Sequence, residues 1–444
     1  MRNRLIVALT SLALTLAVGC GKPQTPAKPD APGEPKAPAF APAPATPSAP
    51  VVAPAPEAKA VGWRGDGSGV YPAADPLAAW DCDEKKGFLW KLKVGTSYSS
   101  PVPAGGRIFL TSEQEKLICV DAAEHKILWK KNNSFEDLAK ELGAEEKRFP
   151  SSCGFSTPTP VTDGKLVWAS FGTGIVACYD LDGNLKWAVY LNQQQGVEYG
   201  RAASPVLADG KLIVTVGHLF ALDPATGKTL WESVDAMESY GTPALMKVGG
   251  VALAVTSMGD VVRVSDGEML ERGIAGTTYS SPVASGDAVY FVDARSKAFR
   301  LSIAEGKFAA KKLWQTDIEG EYFASPVLFD GILYGASNEG ILTAVDAEKG
   351  DVIYKQQLDM ASAAAMPGMA PGNLYGSLVV AGGRLYVSND KAQTIVVQPG
   401  RTFKQLSKNY ADEGSGANPV PDGKLLYLRG AEDLYCVGAA DAAK

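Results

Sequence analysis

The chain has 444 residues, of which 46% are hydrophobic and 21% charged, and this composition excludes a wholly disordered or fibrous protein. The 43 Lys and Arg residues are outnumbered by 49 Asp and Glu, and the net charge of −6 argues against nucleic-acid binding, which normally needs a basic surface. Six cysteines and two histidines leave little material for a dense disulfide framework or a histidine-rich metal centre, and the length allows either several ordinary domains or one large all-β unit.

The first 19 residues have the pattern of a lipoprotein signal peptide. Arg2 and Arg4 precede an apolar stretch, residues 5–18, that is too short to span a membrane comfortably. Gly19-Cys20 follows, and small residues before a cysteine resemble a bacterial lipobox, in which that cysteine is lipidated and becomes the mature N-terminus. We therefore expect Cys20 to carry acyl chains, several of which anchor a protein stably. An ordinary secretory signal is the alternative interpretation.

Residues 20–60 are expected to comprise the lipidated cysteine and a linker rich in proline and alanine. Pro23, Pro26 and Pro29 begin a series with proline at every third position, which is the period of polyproline II, an extended and semi-rigid spacer. Gly21 in place of aspartate favours the outer membrane, with the rest of the protein facing the periplasm. No later apolar run has the length of a membrane span, so we expect the lipid to be the only attachment to the membrane.

Beyond the linker, one unit recurs eight times. Its landmark is a proline that follows a small polar residue, and a large apolar residue lies eight positions further on. A turn containing glycine, such as Asp209-Gly210, lies between the two, which predicts two strands joined by a hairpin. Leu378 takes the place of proline once, and the other landmarks are Pro101, Pro160, Pro205, Pro243, Pro282, Pro326 and Pro419.

A second hairpin completes each unit, and its last strand usually carries a large aromatic residue. The clearest copy ends at Trp231, and Trp90, Trp129, Trp187 and Trp314 hold equivalent places. Four strands in about 45 residues are the size of a propeller blade. We expect the tryptophan rings to pack between blades, where a large flat apolar group buries much area.

The units predict an all-β fold, an eight-bladed β-propeller of four-stranded antiparallel blades over residues 88–440. The last unit stops after three strands, whereas an additional strand, residues 88–93, precedes the first unit. We expect this N-terminal strand to complete the last blade, which closes the ring and removes an open edge. Residues 61–87 form a lead-in segment that we expect to lie against the outside of the propeller.

The units resemble the repeat of the PQQ-like β-propeller family. The copies SPVLADGKLIVTVGHLFALDPATGKTLW (204–231) and SPVLFDGILYGASNEGILTAVDAEKGDVIY (325–354) show the pattern in register. Together with the lipobox, the chain is similar to the propeller lipoproteins of the outer-membrane β-barrel assembly machine, which are non-enzymatic scaffolds. The resemblance implies envelope proteins as partners, that machine among them, and it implies neither a cofactor nor catalytic residues.

The same repeat leaves two alternatives open. Quinoprotein dehydrogenases, to which it is also similar, hold pyrroloquinoline quinone and Ca²⁺ at the axis of such a propeller. A site for the metal and the quinone carboxylates would need charge near the axis, yet the residue before each landmark is uncharged. These residues are Ser100, Thr159, Ser204, Thr242, Ser281, Ser325, Ser377 and Asn418. The second alternative is a periplasmic ligand-binding or signalling propeller.

Three long connections between units form a candidate partner face. Each joins the last strand of one unit to the first strand of the next, so all three emerge on one face of a propeller, and loops on a rigid scaffold commonly carry binding. They are residues 132–152, 192–203 and 359–372, and their candidate contact residues are Phe135, Leu138, Leu142, Arg201, Met360, Met366 and Met369. The alternative is that each connection folds onto the propeller as a plug.

An aromatic rim is expected on the same face. Five units carry an aromatic residue three positions before the landmark, namely Tyr98, Tyr240, Tyr279, Phe323 and Tyr375. Such a rim is able to hold an extended peptide or a flat ligand near the axis. Packing between the tops of the blades is the alternative, because repeated positions usually serve the repeat.

The cysteines after Cys20 do not form a metal-binding or disulfide pattern. Cys119, Cys178 and Cys436 share one place in their units, where a small buried residue fits, and we expect them in the core. Cys82 precedes a last strand and Cys153 a first strand, and these entry points lie on opposite faces of a propeller. We therefore expect no disulfide between them.

Overall fold

The computed structural model describes residues 60–82, 84–143, 149–360 and 372–440. The expected signal peptide, Cys20, the linker up to residue 59, and Met366 and Met369 of the candidate partner face lie outside the described residues. No helix within these ranges has the length and apolar character that crossing a membrane requires.

Two short strands precede the first four blades. They are β1 (Val70–Tyr71) and β2 (Phe88–Lys93). Blade 1 contains β3 (Val102–Ala104), β4 (Arg107–Ser112), β5 (Lys116–Asp121) and β6 (Lys126–Asn132). A one-turn helix, α1 (Ala139–Leu142), leads to blade 2, with β7 (Val161–Thr162), β8 (Leu166–Ser170), β9 (Ile175–Asp180) and β10 (Leu185–Tyr190). Blade 3 contains β11 (Val206–Ala208), β12 (Lys211–Val216), β13 (His218–Leu222) and β14 (Thr229–Met237). Blade 4 contains β15 (Ala244–Val248), β16 (Val251–Val255), β17 (Val261–Arg263) and β18 (Met269–Glu271).

The second half of the ring repeats this arrangement. Blade 5 contains β19 (Val283–Ser285), β20 (Ala288–Phe291), β21 (Arg295–Ala304) and β22 (Lys307–Asp317). Blade 6 contains β23 (Val327–Phe329), β24 (Ile332–Ala336), β25 (Ile341–Asp346) and β26 (Val352–Gln357). Blade 7 contains β27 (Val379–Ala381), β28 (Arg384–Ser388), β29 (Gln393–Val397) and β30 (Gln405–Tyr410). Blade 8 contains β31 (Val420–Asp422), β32 (Leu425–Arg429) and β33 (Asp433–Val437).

The strands of each blade pair antiparallel in chain order from the axis outward. Blade 8 is completed differently, because its outermost strand is β2, which pairs antiparallel with β33 and sets Trp90 opposite Cys436. The predicted eight-bladed, all-β propeller with a closing N-terminal strand is therefore confirmed. Its core lies between blades, as where Trp168 of blade 2 packs with Leu212 and Phe220 of blade 3.

Tryptophan side chains fasten neighbouring blades together, as predicted. Four of them donate the indole N–H to a backbone carbonyl of the next blade at 2.9–3.0 Å, in the pairs Trp129–Leu181, Trp187–Pro224, Trp231–Val264 and Trp314–Ala347. Each ring lies on a glycine of the next blade, namely Gly183, Gly227, Gly267 or Gly350. In blade 1, His125 takes the glycine's place at a φ of 56°, and Trp90 stacks on its imidazole at 4.8 Å.

The polar residue before each inner strand closes the ring at the axis. At seven of the eight blade interfaces, its backbone N–H donates to the side-chain oxygen of the equivalent residue in the next blade, at 2.6–3.1 Å. The acceptors are Thr159, Ser204, Thr242, Ser325, Ser377, Asn418 and Ser100. Buried backbone N–H groups need partners, so these short side chains satisfy the inner edges of the blades.

The lead-in segment corrects one expectation, because its first part lies inside the ring. Val61 N donates to Thr162 O of the inner strand of blade 2, and β1 adds in parallel to β27, the inner strand of blade 7. Between them Arg64 is 1% exposed and donates to the carbonyls of Pro326 and Leu378 at 2.6 and 2.8 Å. The unpaired inner edges of the blades supply the carbonyls that hold this segment, which the repeat pattern alone did not indicate.

The second part of the lead-in packs along blade 7. Trp80 is 3% exposed, and its backbone N–H donates to the side-chain oxygen of Asn409 in β30. Cys119, Cys178 and Cys436 have no exposed surface, as expected for core residues.

Candidate functional site: an aromatic cup on the propeller axis

A cup with a volume of about 590 Å³ opens on the axis at the end where the inner strands begin. The ring of small polar residues that closes the axis forms its floor. All five aromatic residues predicted as a rim line it. We call this end of the propeller the cup face and the other end, where the first hairpin of each blade turns, the opposite face.

The aromatic side chains form an arc of neighbouring rings around the cup. Ring centroids are 5.4 Å apart for Tyr240 and Tyr279, 4.7 Å for Tyr279 and Phe323, and 5.2 Å for Phe323 and Tyr375. The arc ends at Tyr98, 6.1 Å from Tyr375. The rings therefore both contact each other and face the cavity, so the two interpretations of this rim are compatible.

Three residues outside the predicted set complete the cup. Tyr199 extends the arc, 6.1 Å from Tyr240. Gly416 holds the rim position of blade 8, where a Cβ atom would lie 2.6 Å from Tyr98, so its small size lets Tyr98 and Tyr375 meet. Trp63 of the lead-in lines the cup, and the Arg64 guanidinium lies 5.2 Å from the centre of its ring.

The ionisable groups at the cup are acidic. Glu321 lines the cavity and is exposed. Burial raises the pKa of Tyr279 and Tyr375, and nearby carboxylates add to the shift, Glu321 in both cases and Asp390 for Tyr375. Burial likewise raises the pKa of Tyr98, with a smaller contribution from Asp390. The tyrosines are accordingly neutral near pH 7, and the mouth of the cup carries negative charge.

Described residues from or beside each long connection lie at the mouth of the cup. The cavity is lined by Ser152 of the first connection and Cys153 directly after it, by Tyr199 of the second, and by Asn373 directly after the third. The described ends of the three connections therefore lie on the cup face, which follows from the antiparallel order of the blades.

The side chains proposed for the partner face in the first connection point inward. The Ser134 hydroxyl accepts from the Asp137 N–H at 3.2 Å, as in a helix cap. Phe135 and Leu138 are 9% and 5% exposed and pack on the core shared by blades 1 and 2, with Leu142 beside them. This is the plug arrangement. These three side chains are therefore not available for contact with a partner.

Arg201 and Met360 are buried as well. The Arg201 guanidinium pairs with Glu238 at 2.8 Å and donates to the carbonyls of Gly172 and Gln193 at 2.9 and 2.8 Å. Met360 is 7% exposed in the core of blades 6 and 7. Both side chains thus belong to the interior, whereas Tyr199, Tyr98 and Tyr375 are exposed on the cup face, at 44%, 41% and 40% exposure.

The propeller matches a known family along its length. The profile of the family described as "Outer membrane protein assembly factor BamB" matches residues 79–312 and 249–443, which together span all eight blades. The chain belongs to the BamB family.

Individual BamB proteins and a dehydrogenase resemble the chain at lower identity. BamB of Moranella endobia (strain PCIT) is 25% identical over 289 residues, which cover 61% of this chain and 68% of that protein. The crystal structure of BamB from Moraxella catarrhalis superimposes with a TM-score of 0.57 at 13% identity, covering 80% of this chain and 97% of that one. A quinohemoprotein alcohol dehydrogenase of Pseudomonas putida superimposes with a TM-score of 0.51 at 11% identity, covering 82% and 78%. At these identities the two structures show the shared fold alone.

In this member of the BamB family, sequence reasoning missed the cup residues that lie outside the repeat register. Ala202 occupies the rim position of blade 3, and Tyr199, three residues earlier, fills the space from within the long connection. The sequence does contain a signal for Tyr199, because it is an aromatic residue shortly before a blade whose own rim residue, Ala202, is small. Within the described ranges, no cluster of three or more His, Cys, Asp or Glu residues is arranged to hold a metal ion.

Proposed function

We propose that this protein is a non-catalytic scaffold of the cell envelope that acts in outer-membrane protein assembly, anchored by lipid on Cys20 and facing the periplasm. The observation that carries the proposal is the family match, which covers the whole propeller. The lipobox before Cys20 and the proline-rich linker support the anchoring and the spacing from the membrane.

The geometry supports a rigid binding platform rather than a protein whose blades move relative to one another. Indole hydrogen bonds fasten neighbouring blades, and the axis is closed by side-chain hydrogen bonds. Described residues from or directly after the long connections line the cup, so this face offers irregular loop surface on a rigid ring. We place the partner contact on the cup face for this reason.

The residues of the cup do not fit the quinone of the dehydrogenase alternative. Pyrroloquinoline quinone carries several carboxylates, which need cationic partners in a desolvated site. The cup residues described here include no Lys, Arg or His, and Glu321 adds a negative charge. We therefore derive no redox step for this protein.

The proposal is tested by affinity purification of the tagged full-length lipoprotein from its own cells after mild crosslinking. We expect the barrel-assembly machinery to be enriched with the protein in the outer-membrane fraction. Cys20→Ser is the matched control, because it removes the lipid site and leaves every described residue unchanged. Recovery of the wild type without any assembly component, under conditions that capture a known one, would contradict the proposal, and a membrane-bound Cys20→Ser variant would contradict the lipid anchor.

A further inference from the structure

The cup has the form of a binding site that the scaffold function does not yet use. Its volume of about 590 Å³ falls within the range of about 300–1,000 Å³ found for ligand sites. Trp63 lines it, and the segment that carries Trp63 is tied to the inner strands of blades 2 and 7. Because this segment lies inside the ring, a ligand enters the cup from the cup face.

The walls present aromatic surface to whatever occupies the cup. Tyr199, Tyr240, Tyr279, Phe323 and Tyr375 follow one another with centroid distances of 4.7–6.1 Å. The face of an aromatic ring attracts a cation within about 6 Å, and cages of such rings recognise organic ammonium groups. Because burial raises the pKa of Tyr279 and Tyr375, these phenols stay neutral.

The charge around the cup selects the same class of ligand. Glu321 lies in the wall, and Glu198 and Asp390 are close enough to act on Tyr279 and Tyr375 respectively. None of the described lining residues is cationic. A cation beside Glu321 therefore gains from the carboxylates as well as from the rings, whereas the buried Arg64 guanidinium, 5.2 Å from the centre of the Trp63 ring, opposes a cation near Trp63.

The floor offers a hydrogen-bond donor without a partner. Asn418 is 3% exposed and lines the cup. Its Oδ1 accepts from Ser377 N at 2.6 Å, whereas its Nδ2 has no hydrogen-bond partner among the described residues. Leaving a buried N–H group without an acceptor is unfavourable, so this group favours a ligand that brings one, such as the carbonyl of a peptide.

We propose that the cup binds a lysine or arginine side chain carried by an exposed segment of a protein partner. The cation lies against the tyrosine faces near Glu321, and a backbone carbonyl of the segment accepts from Asn418. The ligand proposal adds to the proposed function the chemistry that a partner must present. It rests on that function only in taking the ligand to be part of a protein.

Calorimetric titration of the full-length protein in detergent tests the ligand class. The probes are a capped alanine pentapeptide with a central arginine, the same peptide with neutral citrulline in place of arginine, and tetramethylammonium chloride. We expect the arginine peptide to bind at least about tenfold more tightly than the citrulline peptide, since a desolvated cation–π contact contributes that much. Equal affinity for the two peptides overturns the proposal, and binding of tetramethylammonium without binding of the peptide overturns the assignment to a protein segment.

Variants test the location. Glu321→Gln and Tyr279→Leu are each expected to lower the affinity for the arginine peptide by about 3- to 30-fold. Tyr279→Phe keeps the aromatic ring and is expected to keep the affinity. Glu305→Gln, at an exposed hairpin turn of blade 5, is the control and leaves affinity unchanged. Unchanged affinity in Glu321→Gln, which removes only a charge, overturns the proposal. These titrations use the isolated protein, so they do not depend on the assembly machinery. If the arginine peptide binds the cup but no assembly component is captured in cells, the scaffold function alone is refuted.

Discussion

At the scale of single residues, the contact between a tryptophan ring and a glycine sets how closely two blades approach. A Cβ atom on Gly227 would lie 2.5 Å from Cε3 of Trp187, and Gly227 has a φ of +72°. We expect Gly227→Ala to lower the free energy of unfolding by about 2–5 kcal/mol, because it adds a steric overlap to a left-handed backbone conformation. Urea denaturation followed by tryptophan fluorescence measures the loss.

Gly210→Ala separates the two causes. Gly210 has nearly the same φ, +69°, but a Cβ atom there meets nothing within 4 Å. This control is expected to lose only about 1–2 kcal/mol, the cost of the backbone conformation. Equal losses for both variants would mean that the ring contact does not limit the approach of the blades.

Arg201 is the second residue whose role is structural. Its guanidinium and the Glu238 carboxylate are 3% and 1% exposed, so removing one leaves the other buried without its counter-charge. We expect Arg201→Met to lower the free energy of unfolding by about 3–5 kcal/mol, and Arg201→Met combined with Glu238→Gln to recover part of that loss. A double variant that is less stable than Arg201→Met alone would contradict this account.

At the scale of elements, an aspartate organises the outer hairpin turn of several blades. Asp121, Asp223 and Asp346 accept from two backbone N–H groups of their turns, and Asp180 does the same in blade 2. Side-chain hydrogen bonds from Lys186, then from Asn184, hold the pKa of Asp180 well below its usual range. Protonation of the Asp180 carboxylate therefore requires acid, and it removes hydrogen bonds that stabilise the turn.

The pH dependence of stability follows from the sign of that shift. A carboxyl whose pKa is lower in the folded state stabilises that state above the ordinary aspartate pKa of about 4, and the contribution is lost as pH falls from there through the lowered pKa. We expect the urea midpoint to drop between about pH 5 and about pH 2, and to drop less in Asp180→Asn or Lys186→Met. Parallel pH profiles for the wild type and both variants would show that Asp180 does not contribute.

At the scale of the whole molecule, closure of the ring depends on β2. Trp90 of this strand packs on Tyr427 of blade 8 at 6.0 Å and on His125 of blade 1 at 4.8 Å. Deletion of residues 60–94 is expected to cost more than the about 3–5 kcal/mol of truncating one buried tryptophan, and to expose the edge of β33 to self-association. Denaturation and sedimentation at several protein concentrations measure both effects.

Deletion of residues 23–55 is the matched control for the closing strand. It leaves every described strand in place, so the unfolding transition of the propeller is expected to stay where it is in the full chain. A chain without residues 60–94 that unfolds as cooperatively as this control would contradict the role assigned to β2.

The repeat made most of this fold predictable, whereas contacts across the ring were not. A landmark such as Pro101 and an outer tryptophan such as Trp129 mark strands by local spacing, so the blades could be counted from the sequence. The inner path of Arg64 and the pairing of Arg201 with Glu238 depend on long-range partners that no local period encodes.

The candidate site divides in the same way. The rim residues in the repeat register, such as Tyr279, were found because every blade places that position on the axis. Tyr199 and Trp63 come from irregular segments, and their place in the cup follows only from the folded ring. Met360, interpreted as a contact residue because of its place in a long connection, is itself buried in the core.

Site-specific photocrosslinking in cells tests the central claim most directly, because it asks which face of the propeller meets the assembly machinery. A photoreactive amino acid at Tyr199 probes the cup face, and one at the exposed Ser285 probes the opposite face. We expect the probe at position 199 to form a crosslink to a component of the barrel-assembly machinery, and the probe at position 285 to form none. Crosslinks to that machinery from position 285 alone would contradict the account.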